Sequence, residues 1–211
     1  MKIKKIISFL IFISTFSLSY AQNIILNYGR SFSNITATDK YHEAELLDYR
    51  RINAPYYGIS YTHRVWKLIN LEIGLNYTEK GFKNDEYSSG ATTYLEKSVQ
   101  LNYLSIPIMI KVYNRDKSGE FYPFASFGIY KSYLTGGDYN VEYYDTEVSD
   151  KFIDNDWGLV FEAGVSYYNF EFKVGYSKGI KNISEKYYKE NIGSVKKNNT
   201  IYATIGYNIN L

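Results

Sequence analysis

Beyond residue 21, apolar side chains recur at every second position. Leu71, Ile73, Leu75 and Tyr77 alternate with Glu72, Gly74, Asn76 and Thr78. Trp157, Leu159, Phe161, Ala163, Val165 and Tyr167 alternate with Asp156, Gly158, Val160, Glu162, Gly164 and Ser166. The same period runs through Leu104–Val112, Phe170–Tyr176 and Ile201–Leu211, and more weakly through Ile24–Phe32, Tyr57–Val65 and Ala125–Ile129. Period two places one apolar and one polar face on each segment, the signature of a half-buried strand. These tracts predict eight strands.

Connections alternate strictly in length. Those near Lys67–Asn70, Asn114–Glu120 and Tyr168–Asn169 are short; those near Ile35–Ala54, Lys83–Leu95, Thr135–Ile153 and Lys181–Asn198 are long and polar. Both chain ends then fall on the short-turn side. The pattern predicts an all-β fold: an eight-stranded antiparallel up-and-down transmembrane β-barrel with short periplasmic turns and long outer loops. A soluble barrel would turn its apolar face inward. Here the polar face is rich in Gly, Ser, Thr and Asn, which suit a crowded lumen, and it carries opposite charges that can pair there: Glu72, Lys111, Glu162, Glu171 and Lys173. Aromatics gather near strand ends (among them Tyr28, Phe32, Trp66, Tyr77, Phe82, Tyr113, Phe121, Tyr130, Trp157, Tyr167 and Tyr207), as in interfacial girdles. The inverted barrel is therefore expected, with a lipocalin-like secreted binder as the soluble alternative.

Some residues break the pattern. Arg30 falls on the apolar phase, where it would snorkel or cap a loop. Tyr103 and Leu104 cannot both face lipid, which predicts a bulge. Pro107 lies inside a paired strand, where a bulge or rim position is the usual accommodation.

The N-terminus reads as an address. Basic Met1–Lys5, an apolar run from Ile6 to Leu18, and the small-residue ending Ser19-Tyr20-Ala21 describe a secretory signal peptide over residues 1–21, leaving 22–211 as the barrel domain. About 13 apolar residues fall short of the roughly 20 that a spanning helix needs. The formal charge of +2 loses its meaning with that segment: without Lys2, Lys4 and Lys5 the chain carries 21 basic and 22 acidic side chains. No nucleic-acid footprint is expected. The absence of cysteine excludes disulfides and thiolate metal sites, and the 25 tyrosines suit a surface that is apolar on one side and wet on the other.

The chain resembles the PorT-like outer-membrane β-barrel family of Bacteroidetes-type bacteria. The resemblance rests on Tyr103-Leu104-Ser105-Ile106-Pro107, Tyr122-Pro123-Phe124-Ala125-Ser126-Phe127-Gly128, Asp156-Trp157-Gly158 with Glu162-Ala163-Gly164-Val165, Gly175–Ile183, and Thr200–Tyr207, in that order. It covers essentially all of residues 22–211 and implies an outer-membrane barrel without implying one function. A branch of that family is tied to secretion of cargo proteins. The family often has an acidic residue after the Tyr-Leu pair; Ser105 stands there in this sequence.

Thr204, Gly206, Ile209 and Leu211 match the terminal pattern polar-x-Gly-x-x-apolar-x-apolar, which resembles the assembly signal read by the outer-membrane insertion machinery. Candidate chemistry is sparse. His42 has acids nearby in sequence but no motif that fixes a nucleophile beside it, and His63 reads as interfacial. The loop acids Asp85-Glu86, Glu142–Glu147 and Asp154-Asn155-Asp156 lack calcium-loop spacing and read as solvated. Gly136-Gly137-Asp138 reads as a turn. Tyr-rich loops, including Tyr41, Tyr49, Tyr56, Tyr57, Tyr87, Tyr94, Tyr139, Tyr143, Tyr144, Tyr187 and Tyr188, suit contact with envelope or extracellular partners. The expected protein is a monomeric structural or interaction barrel without catalytic residues, cofactor or metal, surrounded by outer-membrane lipid and lipopolysaccharide. A small-solute porin, a secretion-associated barrel and a lipid A-modifying enzyme are the alternatives.

Overall fold

The computed structural model describes residues 22–39, 50–83, 96–113, 121–141, 144–145, 152–183 and 194–211. Nine strands run β1 (Gln22–Asp39), β2 (Arg50–Arg64), β3 (Ile69–Lys83), β4 (Glu96–Tyr113), β5 (Phe121–Val141), β6 (Tyr144–Asp145), β7 (Asn155–Tyr167), β8 (Phe170–Gly179) and β9 (Ser194–Asn210). β6 is a two-residue extension paired to the end of β5. The other eight form a closed antiparallel barrel: neighbours in sequence pair around the wall, and β1 meets β9. No described residue is helical.

The register fixes the barrel's dimensions. From Asn34, the hydrogen-bonded row passes through Asn199, Lys178, Leu159, Ile129, Ile108, Ile73 and Tyr61 and returns to β1 at Ile24. The circuit slips ten residues along β1. Ten residues at about 3.3 Å against eight spacings of about 4.8 Å tilt the strands by about 40°.

Alternation is inverted relative to a soluble barrel. Leu159, Phe161, Phe172, Val174, Ile73 and Ile108 face outward and are exposed, while Glu72, Lys111, Asp156, Glu162, Glu171 and Lys173 are buried inside. Only an apolar solvent outside makes that arrangement stable, since each outward Leu or Phe in water would forfeit about 1.5–3 kcal/mol.

Several strands run further than their apolar alternation. β1 continues to Asp39, β5 to Val141, and β9 begins at Ser194. Beyond the apolar band the outward face no longer requires apolar side chains, while Ile35, Phe82, Val99 and Leu101 fill the inward one, so the sequence loses its polar-inward period although the hydrogen-bond ladder continues. Gly136 and Gly137 are thereby not a turn: they lie inside β5, paired with Asn102 and Leu101, at φ of 157° and 150°. A Cβ on Gly137 would collide with the Gln100 carbonyl oxygen. The β4–β5 register shifts between Asn102 and Tyr103, but the extra residue is Thr135 of β5; β4 keeps its alternation, so Tyr103 faces the lumen and Leu104 the opposite side without a bulge in their own strand. Pro107 occupies neither a bulge nor the rim. It pairs with Tyr130 across β5, and on the other side the β3–β4 ladder keeps one register from Ile73–Ile108 to Asn76–Ser105. Gly74 lies against its ring, so the missing side chain makes the room that the proline needs. Of the expected girdle, Tyr28, Trp66, Phe121, Trp157, Tyr167 and Tyr207 face outward, but Phe82 and Tyr130 are buried inside.

Candidate functional site

The lumen is filled in tiers, beginning at the short-turn end. Lys111 Nζ donates to Glu72 Oε2 at 3.1 Å and to Glu171 Oε2 at 2.7 Å. Lys173 Nζ donates to Glu162 Oε2 at 3.1 Å and stands 3.6 Å from Glu72 Oε1. The alternating phase of β3, β4, β7 and β8 points all five side chains inward, and lysines are long enough to cross an eight-stranded interior. Lys111 also lies 4.2 Å from the centre of the Phe124 ring. Every member of the group is buried, so loss of one partner strands a charge in low dielectric.

Next comes an aromatic tier. Tyr56 and Tyr202 stack with centroids 4.9 Å apart, packed with Met109, Tyr130 and Val160. The Tyr202 hydroxyl donates to Glu162 Oε1 at 2.7 Å, tying this tier to the one below. A third tier centres on Asp156, whose Oδ2 accepts from Lys80 Nζ at 3.1 Å, from the Tyr130 hydroxyl at 3.0 Å and from Asn198 Nδ2 at 3.0 Å. Lys80 lies 4.4 Å from the Tyr130 ring centre and 4.9 Å from that of Tyr103. The space between these tiers is about 30 Å³, room for about one water.

At the loop end the lumen closes with an apolar plug of Ile35, Phe82, Val99, Leu101, Tyr103, Phe152 and Ile183, all buried. Phe152 and Ile183 come from connecting segments, not from strands. The Ile153 amide donates to the Ile183 carbonyl at 2.9 Å, the Ile183 amide to the Lys196 carbonyl at 3.0 Å, and the Leu134 amide to the Asp154 carbonyl at 2.8 Å. These bonds hold both segments against the barrel wall.

The sequence-derived network residues Glu72, Lys111, Glu162, Glu171 and Lys173 thus meet in one cluster. Lys80 and Asp156 escaped sequence reasoning. Asp156 is no solvated loop acid: its run with exposed Asp154 hid it, although its alternation with Trp157 already placed it on the inward phase. Ser105 faces the lumen, its Oγ 2.6 Å from that of Ser132, where an acid would have adjoined Lys80 and Asp156. Tyr56 is a lumen residue, while Tyr57 packs outside against Tyr28 at 5.4 Å. His63 is buried near the turn end and stacks on Tyr61. His42, the signal segment 1–21 and most loop tyrosines lie outside the described residues. Thr204 and Gly206 face the lumen on β9, and Ile209 and Leu211 face outward at its end. Among the described residues no three His, Asp or Glu side chains are grouped to hold a metal.

Residues 57–185, more than half of the chain, match the family described as the outer membrane protein beta-barrel domain. The chain belongs to this family. Membership explains the apolar exterior and puts the protein in the outer membrane. OprG of Pseudomonas aeruginosa has the same fold: it is 13% identical with a TM-score of 0.53, over 90% of this chain and 96% of OprG. Outer Membrane Protein W of E. coli is 18% identical with a TM-score of 0.43, over 90% of this chain and 98% of that one. Neisserial surface protein A is 14% identical with a TM-score of 0.46, over 87% and 96%. No curated protein matches the sequence.

Proposed function

We propose that this outer-membrane β-barrel is a closed structural and interaction protein, neither a solute channel nor an enzyme, whose loop end meets envelope or extracellular partners. The observation that carries the reading is the filled lumen: two ionic tiers with an aromatic tier between them lie beneath an apolar plug, and the space between the aromatic and Asp156 tiers is about 30 Å³. A porin needs a continuous aqueous path, and eight strands enclose little more than their own side chains. Planar-bilayer recording on the full-length protein tests it. No stable conductance step is expected; reproducible open channels would replace this reading with the porin.

The landmarks from Tyr103-Leu104 to Thr200–Tyr207 support assignment to the PorT-like family, and because a branch of that family is tied to secretion of cargo proteins, a secretion-associated barrel is the second reading. Export by the segment 1–21 and recognition of Thr204, Gly206, Ile209 and Leu211 by the insertion machinery complete the proposal; deleting Leu211 should slow membrane insertion in cells while leaving unaided refolding into detergent unchanged. Against an enzyme stands the lack of any fixed base beside a nucleophile in the sequence. His42→Ala should leave the envelope lipid profile unaltered, and a lost or retained acyl chain would restore the lipid-modifying alternative.

A further inference from the structure

The lipid-facing wall carries a trough with a cation at its upper end. Arg30, Ala203, Val174 and Ala163 form one hydrogen-bonded row across β1, β9, β8 and β7, all facing outward. The row beneath it holds Tyr28, Ile205, Phe172 and Val165, and Phe32 begins the row above. Small side chains between rows of large ones leave a depression of about 670 Å³ in the wall. Each step along this row descends by about 3 Å because the strands are tilted, so the trough runs from Arg30 down into the hydrocarbon. Lys178, in the row of Asn34, stands only about 4 Å above Arg30 by the same geometry, which sets Arg30 just below headgroup level. The Arg30 side chain is exposed and makes no hydrogen bond or ion pair among the described residues.

We infer that this trough binds one phosphate-bearing lipid of the outer leaflet, its phosphate on the Arg30 guanidinium and an acyl chain lying over Ala203, Val174 and Ala163. The charge argues for that occupant. A bare guanidinium against hydrocarbon needs an anion at the interface, guanidinium pairs with phosphate oxygens bidentately, and snorkelling carries it to their level. The groove gives the chain a place that a generally cationic surface lacks. The inference rests on the barrel's place in the membrane and not on what its loops contact.

The test uses the refolded full-length barrel in phosphatidylcholine bilayers, with trace phosphatidic acid or phosphatidylcholine spin-labelled on one chain. Electron spin resonance measures the immobilised fraction of each. Phosphatidic acid should associate several-fold more strongly than phosphatidylcholine. Arg30→Ala should remove that preference, Lys131→Ala should keep it, and Ala203→Phe, which fills the trough at unchanged charge, should also remove it. If Ala203→Phe fails to give the folded gel mobility, Ala163→Phe at the trough's lower end replaces it. An absent preference, an equal loss in Lys131→Ala, persistence after the trough is filled, or displacement by millimolar inorganic phosphate would each overturn the lipid site.

Discussion

Lys80 and Asp156 show what a single residue decides in this lumen. Both are almost wholly buried, and one carboxylate oxygen gathers three donors. Asp156→Ala leaves the ammonium of Lys80 without its countercharge, and breaking a buried pair in this way costs about 3–5 kcal/mol. Urea unfolding from lipid vesicles should show a loss of that size, and Lys80→Met combined with Asp156→Leu should recover most of it. A stable Asp156→Ala single variant would mean that water reaches the tier. Gly175 is a second such position, for steric reasons. A Cβ there would collide with the Tyr202 ring, which is clamped by Tyr56 and by its bond to Glu162. Gly175→Ala should destabilise the barrel by about 1–3 kcal/mol, as overpacking does.

On the scale of one strand, β7 separates the two solvents. Trp157, Leu159, Phe161 and Ala163 point outward, whereas Asp156, Val160 and Glu162 point inward. Phe161→Arg should cost about 2–4 kcal/mol in bilayers, the range for a cation near the midplane of such a barrel. Alternation alone suggests that Val160→Thr is harmless on a polar phase, but Val160 packs against Tyr56, Met109, Tyr130 and Tyr202. Its hydroxyl would enter an aromatic tier, so a loss of about 1–3 kcal/mol is expected instead. Fluorophores on single cysteines, the sequence having none of its own, check the phase directly. Lipid-attached quenchers should reach positions 159 and 161 and spare 160 and 162; the reverse pattern would invert the barrel.

For the molecule as a whole, closure is redundant. The plug of Phe152 and Ile183 seals the loop end, but the aromatic and ionic tiers fill the lumen beneath it independently. Phe152→Ala with Ile183→Ala should therefore lower the resistance of the loop end to proteolysis while leaving the bilayer without conductance steps. Steady conductance in that variant would show that the plug alone keeps the barrel shut. A shear of ten on eight strands gives the interior just enough width for two lysines and three carboxylates to meet at its turn end.

Alternation of apolar and polar residues by itself determined the strand count, the up-and-down order and the inward set Glu72, Lys111, Glu162, Glu171 and Lys173, because a period of two follows from backbone geometry and from a solvent boundary on each face. It lost the strands beyond the apolar band, as in β5 through Gly136–Gly137, where the outward face no longer requires apolar side chains, and it could not say which inward residues share a height. That depends on the ten-residue slip around the barrel, a property of closure that no single segment carries. The slip sets Lys80 of β3 beside Asp156 of β7, packs Tyr130 with Tyr56, Met109 and Tyr202, and brings Phe152 and Ile183 from two distant connections onto one plug. Which residues face inward is written along the chain; which of them touch was decided only when β1 met β9.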